Sequence, residues 1–224
     1  MSSEYCREVH LGDIPEWGVH VTDILLSELK QRDPYTFYHC CRVGRSARRL
    51  AQAMGLNEYD QFRLEFAGLF HDVGKMGIPL AILNKPTRLS KDEFFLMQSH
   101  VKMSALVVGW LGKEHNFFQS LINPILYHHE RVDGQGYQKI DQRDIPLESK
   151  IISVVDTVDA MLHTRAYRKA LDFETIKEEL IECSGQQFDK DVVKIYLQAV
   201  RFWKDIKIAD KEEMIIGKLL PVAA

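Results

Sequence analysis

An all-α fold, a single-domain helical bundle of about eight helices, is predicted by three observations. Apolar residues recur at helical spacing along most of the chain. The stretches that carry them are bounded by residues that cap helices, such as Asn57, Ser90, Asp172 and Asp189. No strand pair, βαβ pattern or internal repeat interrupts them.

The first helix is expected from Pro15 to Lys30, with proline at its start and Val19, Ile24, Leu25 and Leu29 as its apolar residues. A second runs from Tyr35 to Met54 and stops at Gly55. Asn57 caps a third over Glu58 to Phe70, which delivers the pair His71-Asp72 at its C-terminal end. After a proline-containing loop, Ser90 and Glu93 form a capping box that opens a long helix from Lys91 to Trp110, closed by Gly112. Phe117 to Tyr127 is shorter and contains Pro124; it leads into His128-His129-Glu130 and a glycine-rich loop. The nearly all-apolar stretch Leu147 to Leu162 is expected to be central, and Asp172 and Asp189 cap two last helices.

A chain of 224 residues sits near the upper size of one domain, and its ordinary share of hydrophobic residues (46%) suffices for a core. We divide it into a lead-in helix (1–32), a catalytic domain (33–204) and a tail (205–224). A net charge of -3 provides no broad basic footprint for DNA, RNA or an anionic membrane, so an anionic substrate must be held locally. No apolar run is read as a membrane span, and the N-terminus lacks a secretory signal, which predicts a cytoplasmic protein. Cys6, Cys40, Cys41 and Cys183 show no C-x-x-C spacing and read as reduced, buried thiols.

The histidines carry the chemistry. His39 shares a helix face with Val43, Ala47, Leu50 and Met54, and His100 shares one with Leu96, Met103 and Val107. Asp156 lies on the face of Ile152 and Ala160. One buried histidine alone is more often a satisfied core residue than a ligand. Inward-facing histidines and a carboxylate on three helices point instead to a common metal centre. His39, His71, Asp72, His100, His128, His129 and Asp156 then make a ligand set for two ions, with Asp72 bridging them. His10, His20, His115 and His163 are read as surface or packing residues.

Two divalent ions set against two aspartates and a hydroxide leave about +1, suited to one phosphodiester. A mixed histidine and carboxylate set favours iron first and manganese second over magnesium or calcium. Lys75 lies close enough after Asp72 to meet a phosphate oxygen or orient the hydroxide, or it is a helix-end cation. Arg165 and Arg168 follow the Asp156 helix and read as a clamp for a second phosphate or as a solvated cluster.

The run HDVGK at 71–75, IP at 78–79, HHE at 128–130, DGQGY at 133–137, D-x-x-D-A at 156–160 and RAYR at 165–168 together resemble the HD-GYP family over roughly residues 33 to 200. Such bacterial phosphodiesterases hydrolyse cyclic di-GMP and, in some members, cyclic GMP-AMP. The resemblance implies the same metal ligands, with Asp72 and Lys75 catalytic and Lys75, Gly136, Tyr137, Arg165 and Arg168 on the substrate. It further implies a metal-bridging hydroxide attacking phosphorus in line with the departing ribose oxygen, to give linear pGpG, with a further cut to GMP left open.

Three positions depart from the pattern. Gln138 replaces the proline of the Gly-Tyr-Pro tripeptide, which predicts a less rigid loop. Ala166 stands where proline is usual, and Tyr35 stands where a glutamate accompanies a third metal in some members, which argues for two ions. No sensory domain fits in the first thirty residues, so a stand-alone, divergent member is expected. Two other readings stay open: a catalytically weak cyclic-dinucleotide sensor or scaffold that binds a diguanylate cyclase, and another HD-superfamily nucleotide hydrolase.

Overall fold

The computed structural model describes residues 14–164 and 169–203, and among them the secondary structure is helical, with no strand. The chain runs α1 (Glu16–Arg32), α2 (Pro34–Ala53), α3 (Glu58–Phe70), a 3-10 turn (Val73–Gly77), α4 (Leu80–Leu83), α5 (Lys91–Gln98), α6 (His100–Gly112), α7 (Asn116–Leu126), α8 (Leu147–Leu162), α9 (Phe173–Glu182), α10 (Lys190–Ala199) and a last 3-10 turn (Val200–Phe202). The bundle is therefore all-α as expected, with two additions. The single turn α4 forms behind Pro79, and the long helix is interrupted at Ser99.

Local hydrogen bonds explain both the boundaries and the interruption. Asn57, Asp172 and Asp189 each accept a bond from a backbone N–H of the first turn of α3, α9 and α10. Ser90 and Glu93 satisfy each other's backbone at the start of α5. At the break, Ser99 Oγ donates to the Leu96 carbonyl (2.6 Å) and His100 Nδ1 takes the Met97 carbonyl (2.6 Å), so side chains occupy acceptors near the end of α5.

The two pieces α5 and α6 together, Lys91–Gly112, form a 22-residue stretch long and apolar enough by composition to cross a membrane. That corrects the expectation that no apolar run reaches this length. It turns His100, Val101, Ser104, Ala105 and Val108 inward, which also corrects the expected face: Met103 and Val107 are only half-buried. In α1 the buried positions are Gly18, Val19, Thr22, Leu26 and Leu29, while Ile24 is 60% exposed. Thr22 can be buried there because its hydroxyl donates to the Gly18 carbonyl (2.8 Å).

The core lies between α2, α3, α7 and α8. Phe62, Phe66, Phe117 and Phe118 form its aromatic centre, with ring centroids 4.9 to 5.4 Å apart in tilted and edge-on pairs. α8 is central as its sequence predicts, buried through most of its length. Cys40 and Cys41 are buried thiols and Cys183 is half-buried. The positions 165–168 and 204–224, which include Arg165, Arg168 and the tail, lie outside the described residues.

Candidate metal centre

Asp72 sits at the turn between α3 and the 3-10 segment, and the close packing of that segment against α6 fixes its place. The Gly74 N–H donates to Ser104 Oγ (2.8 Å), and a Cβ at Gly74 would come within 2.2 Å of the His100 carbonyl oxygen. A larger residue would push the two apart. This contact brings His100 at the start of α6 against Asp72 at the end of α3: His100 Nε2 lies 3.1 Å from Asp72 Oδ1.

The other oxygen faces the opposite way. Asp72 Oδ2 is 3.5 Å from His39 Nε2 and 3.3 Å from His71 Nε2, and Asp156 Oδ1 is 3.0 Å from His39 Nε2. Two groups of donor atoms result, each within 4.8 Å of one another: His39, His71 and Asp156 on one side, and His100, His128 and His129 on the other. Asp72 lies between them, and with His71 and His128 it forms a third such group. The structure thus brings all seven residues together from α2, the end of α3, α6, the segment after α7, and α8.

The histidine tautomers follow from the neighbours. His71 Nδ1 donates to the Gly68 carbonyl (2.7 Å), His100 Nδ1 to Met97 (2.6 Å) and His128 Nδ1 to Ile125 (2.6 Å). His39 Nδ1 donates to Asp159 Oδ2 (2.7 Å). A carbonyl or carboxylate oxygen only accepts, so the proton of each neutral ring is on Nδ1 and the lone pair is on Nε2. Those four Nε2 atoms, with Asp72 Oδ1, are buried and have no hydrogen-bond partner. Buried polar atoms are rarely left so. Convergent nitrogen lone pairs with two carboxylates are what a divalent transition metal requires, and the residue set fits such an ion.

The electrostatics agree. Burial lowers the pKa of His39, yet its contacts with Asp156, Asp159 and Asp72 outweigh this and hold it well above its ordinary value. The pocket favours positive charge at that point. Burial would raise the Asp72 carboxyl, but Lys75 and His71, with the close approach of His100 and His39, bring it well below the usual carboxylate range. His128 is pushed well below its ordinary value by burial and by the neighbouring His129, so it stays neutral, as a ligand must.

Lys75 Nζ reaches Asp72 Oδ2 (2.5 Å) and keeps some exposure. Tyr137 packs its ring on His129 at 4.6 Å between centroids, with Phe94 beyond it at 6.1 Å. Gly136 is buried against Glu130, where a Cβ would meet Glu130 Cα at 2.5 Å. Gln138 does not leave the loop loose. Its backbone N–H donates to Glu130 Oε1 (2.6 Å) and its side-chain Nε2 to the Leu126 carbonyl (3.0 Å). Of the other histidines, His20 is exposed, His115 caps α7 and His163 bonds the Asp159 carbonyl; His10 lies outside the described residues.

Sequence reasoning missed three supporting residues. Asp159, which takes the His39 proton side, is gripped by Arg42 through Nε (2.6 Å) and a terminal nitrogen (3.0 Å). Such a carboxylate fixes the tautomer and orientation of a ligating histidine. Its signal was available in the D-x-x-D spacing, which puts Asp159 one turn from Asp156. Glu130, the last residue of HHE, is buried and accepts from the Gln138 and Ile140 backbones, holding the loop that carries Tyr137.

Comparison with known proteins settles the family. Residues 23–192 match the HD domain model. The chain belongs to the HD-domain family. Among curated proteins, this HD domain is 34% identical over 211 residues to a cyclic di-GMP phosphodiesterase of Thermotoga maritima, covering 94% of the chain and 57% of that protein. It is 31% identical to 3'3'-cGAMP-specific phosphodiesterase 2 of Vibrio cholerae, covering 83% of the chain and 35% of that protein. The chain thus spans about a third to just over half of the length of these relatives. Among solved structures, an HDG"Y"P protein from Bdellovibrio bacteriovorus superposes with a TM-score of 0.57 at 20% identity, over 73% of this chain and 51% of the other, and shares the fold.

Proposed function

We propose that this HD domain is a cyclic-dinucleotide phosphodiesterase that holds two divalent ions, iron first and manganese second, among His39, His71, Asp72, His100, His128, His129 and Asp156. The observation that carries it is the convergence of the buried Nε2 atoms of His39, His71 and His100 on the two oxygens of one buried aspartate, with His128 grouped beside them. When bound, such ions supply Lewis acidity toward a phosphoryl oxygen and make water a stronger nucleophile at neutral pH. The relatives named for cyclic di-GMP and 3'3'-cGAMP support the substrate class.

The chain's own residues do the rest. Asp72 holds the two halves of the centre in register, and Lys75, at its Oδ2, neutralises it and faces an incoming phosphate oxygen. Tyr137, packed on His129, walls the site on the loop side, and Gly136 lets that loop approach Glu130. Arg165 and Arg168 follow α8 in sequence and hold the second phosphate of the substrate. Attack by water at phosphorus, in line with the departing ribose oxygen, turns cyclic di-GMP into linear pGpG, and a second cut gives GMP.

The test is anaerobic purification, a metal count per chain by mass spectrometry, and chromatography of reactions with cyclic di-GMP, cyclic GMP-AMP and pGpG. Two ions per chain with cleavage, both lost in Asp72→Ala, are expected. Metal without turnover of any of the three would overturn the proposal and leave a binding module.

A further inference from the structure

Helix α7 delivers His128 and His129, and its end is closed bond by bond. The last four carbonyls of a helix lack intrahelical partners. Asn123 O is taken by the Tyr127 N–H (3.1 Å), Pro124 O by Ser149 Oγ (3.1 Å), Ile125 O by His128 Nδ1 (2.6 Å) and Leu126 O by Gln138 Nε2 (3.0 Å). Gln138 is the last of these four caps. Its backbone N–H also gives Glu130, itself 4% exposed, one of its two loop bonds (2.6 Å), the other coming from Ile140 (3.2 Å). A proline at 138 could make neither of the Gln138 bonds, having no N–H and no amide.

We propose that Gln138 is a positioning residue for the His100–His128–His129 half of the centre. It ties the loop carrying Tyr137 to the helix end that presents His128, so the ring of Tyr137 stays against His129 (4.6 Å) and His129 stays beside His100 (ring centroids 5.3 Å). The glutamine replaces the stiffness of a proline ring with two directed hydrogen bonds, one of them to a buried carboxylate and therefore strong. Among the described residues, Gln138 makes no such bond to the other half. His39 is held from α8 through Asp159 and His71 from its own helix through Gly68. The effect of losing Gln138 is therefore confined to one of two metal positions.

The inference rests on the reading of the centre as a two-ion site, and it is tested without substrate. Wild type, Gln138→Pro and Gln138→Leu are stripped of metal and titrated with Mn2+, following binding by calorimetry and the electron paramagnetic resonance spectrum. In wild type two ions bind and the spectrum shows a coupled pair. In Gln138→Pro one binding step weakens about 10–100-fold, the other is unchanged, and the coupled signal gives way to that of a single ion. Gln138→Leu, which keeps the backbone N–H, shows the same change to a smaller extent and carries the test if the proline variant does not fold. Two unchanged steps in both variants would overturn the proposal. Parallel weakening of both steps with a lower melting temperature would do so too, because that is the mark of a merely structural role. A wild type that binds two ions yet cleaves no cyclic dinucleotide refutes the phosphodiesterase reading and leaves this inference standing.

Discussion

Replacing Asp159 with asparagine should cost both stability and metal affinity. The carboxylate accepts from Arg42 on both oxygens (2.6 and 3.0 Å) and from His39 Nδ1 (2.7 Å), with Asp159 5% and Arg42 7% exposed. Asparagine has one acceptor end and one donor end. Whichever way it turns, an N–H faces Arg42 or His39. Either way the buried guanidinium of Arg42 loses its anion, a change of about 3–5 kcal/mol. If it faces His39, the ring keeps that contact only by moving its proton from Nδ1 to Nε2, the atom that must bind metal.

Loss of such a supporting carboxylate weakens metal binding about 10–100-fold, which is about 1.4–2.7 kcal/mol. Urea unfolding of the metal-free protein should therefore show a lower midpoint with an unchanged slope. Titration with Mn2+ should show one weakened step, assigned to the His39–His71–Asp156 side. Asp159→Asn protein with the wild-type midpoint and both wild-type affinities would refute the reasoning. It would mean that neither the Arg42 pair nor the His39 tautomer is held by this carboxylate.

Gly74→Ala places a Cβ within 2.2 Å of the His100 carbonyl oxygen, so the 3-10 turn and α6 must separate; overpacking of this kind costs about 1–3 kcal/mol. A lower melting temperature together with reduced metal content is expected, and an unchanged melting curve would show that the turn yields freely. Glu130→Gln removes the charge that accepts from Gln138 and Ile140. One amide end then faces a backbone N–H, at about 1–3 kcal/mol, and limited proteolysis should cut within 131–140 sooner than in wild type. Metal should bind the folded state alone, because the donors converge only there. Mn2+ at 100 times its dissociation constant should stabilise by about 2.7 kcal/mol; a melting temperature that does not respond to metal would contradict a preformed centre.

Much of the fold was legible because helix boundaries are local events. Asn57, Ser90, Asp172 and Asp189 cap helices by bonding N–H groups two or three residues away, and α8 occupies the range that its apolar run predicts. Where the reading slipped, side-chain chemistry or neighbouring helices intervened. Ser99 and His100 take carbonyls near the end of α5, and Thr22 replaces Ile24 on the inner face of α1 because its hydroxyl is satisfied within the helix.

By itself the sequence determined which residues are available to the centre and that His39, His100 and Asp156 turn inward, since helical spacing fixes which side chains share a face. Only the tertiary structure decided how they meet. It put the two oxygens of Asp72 toward different histidines, brought Asp159 to Arg42 across 117 positions of sequence, and turned Gln138 from an apparent loss of rigidity into a helix cap. The physical reason is range. A cap or a face is set within one or two turns of chain, whereas a buried lone pair or carboxylate acquires its role only from groups that the packing of other helices places within about 3 Å of it.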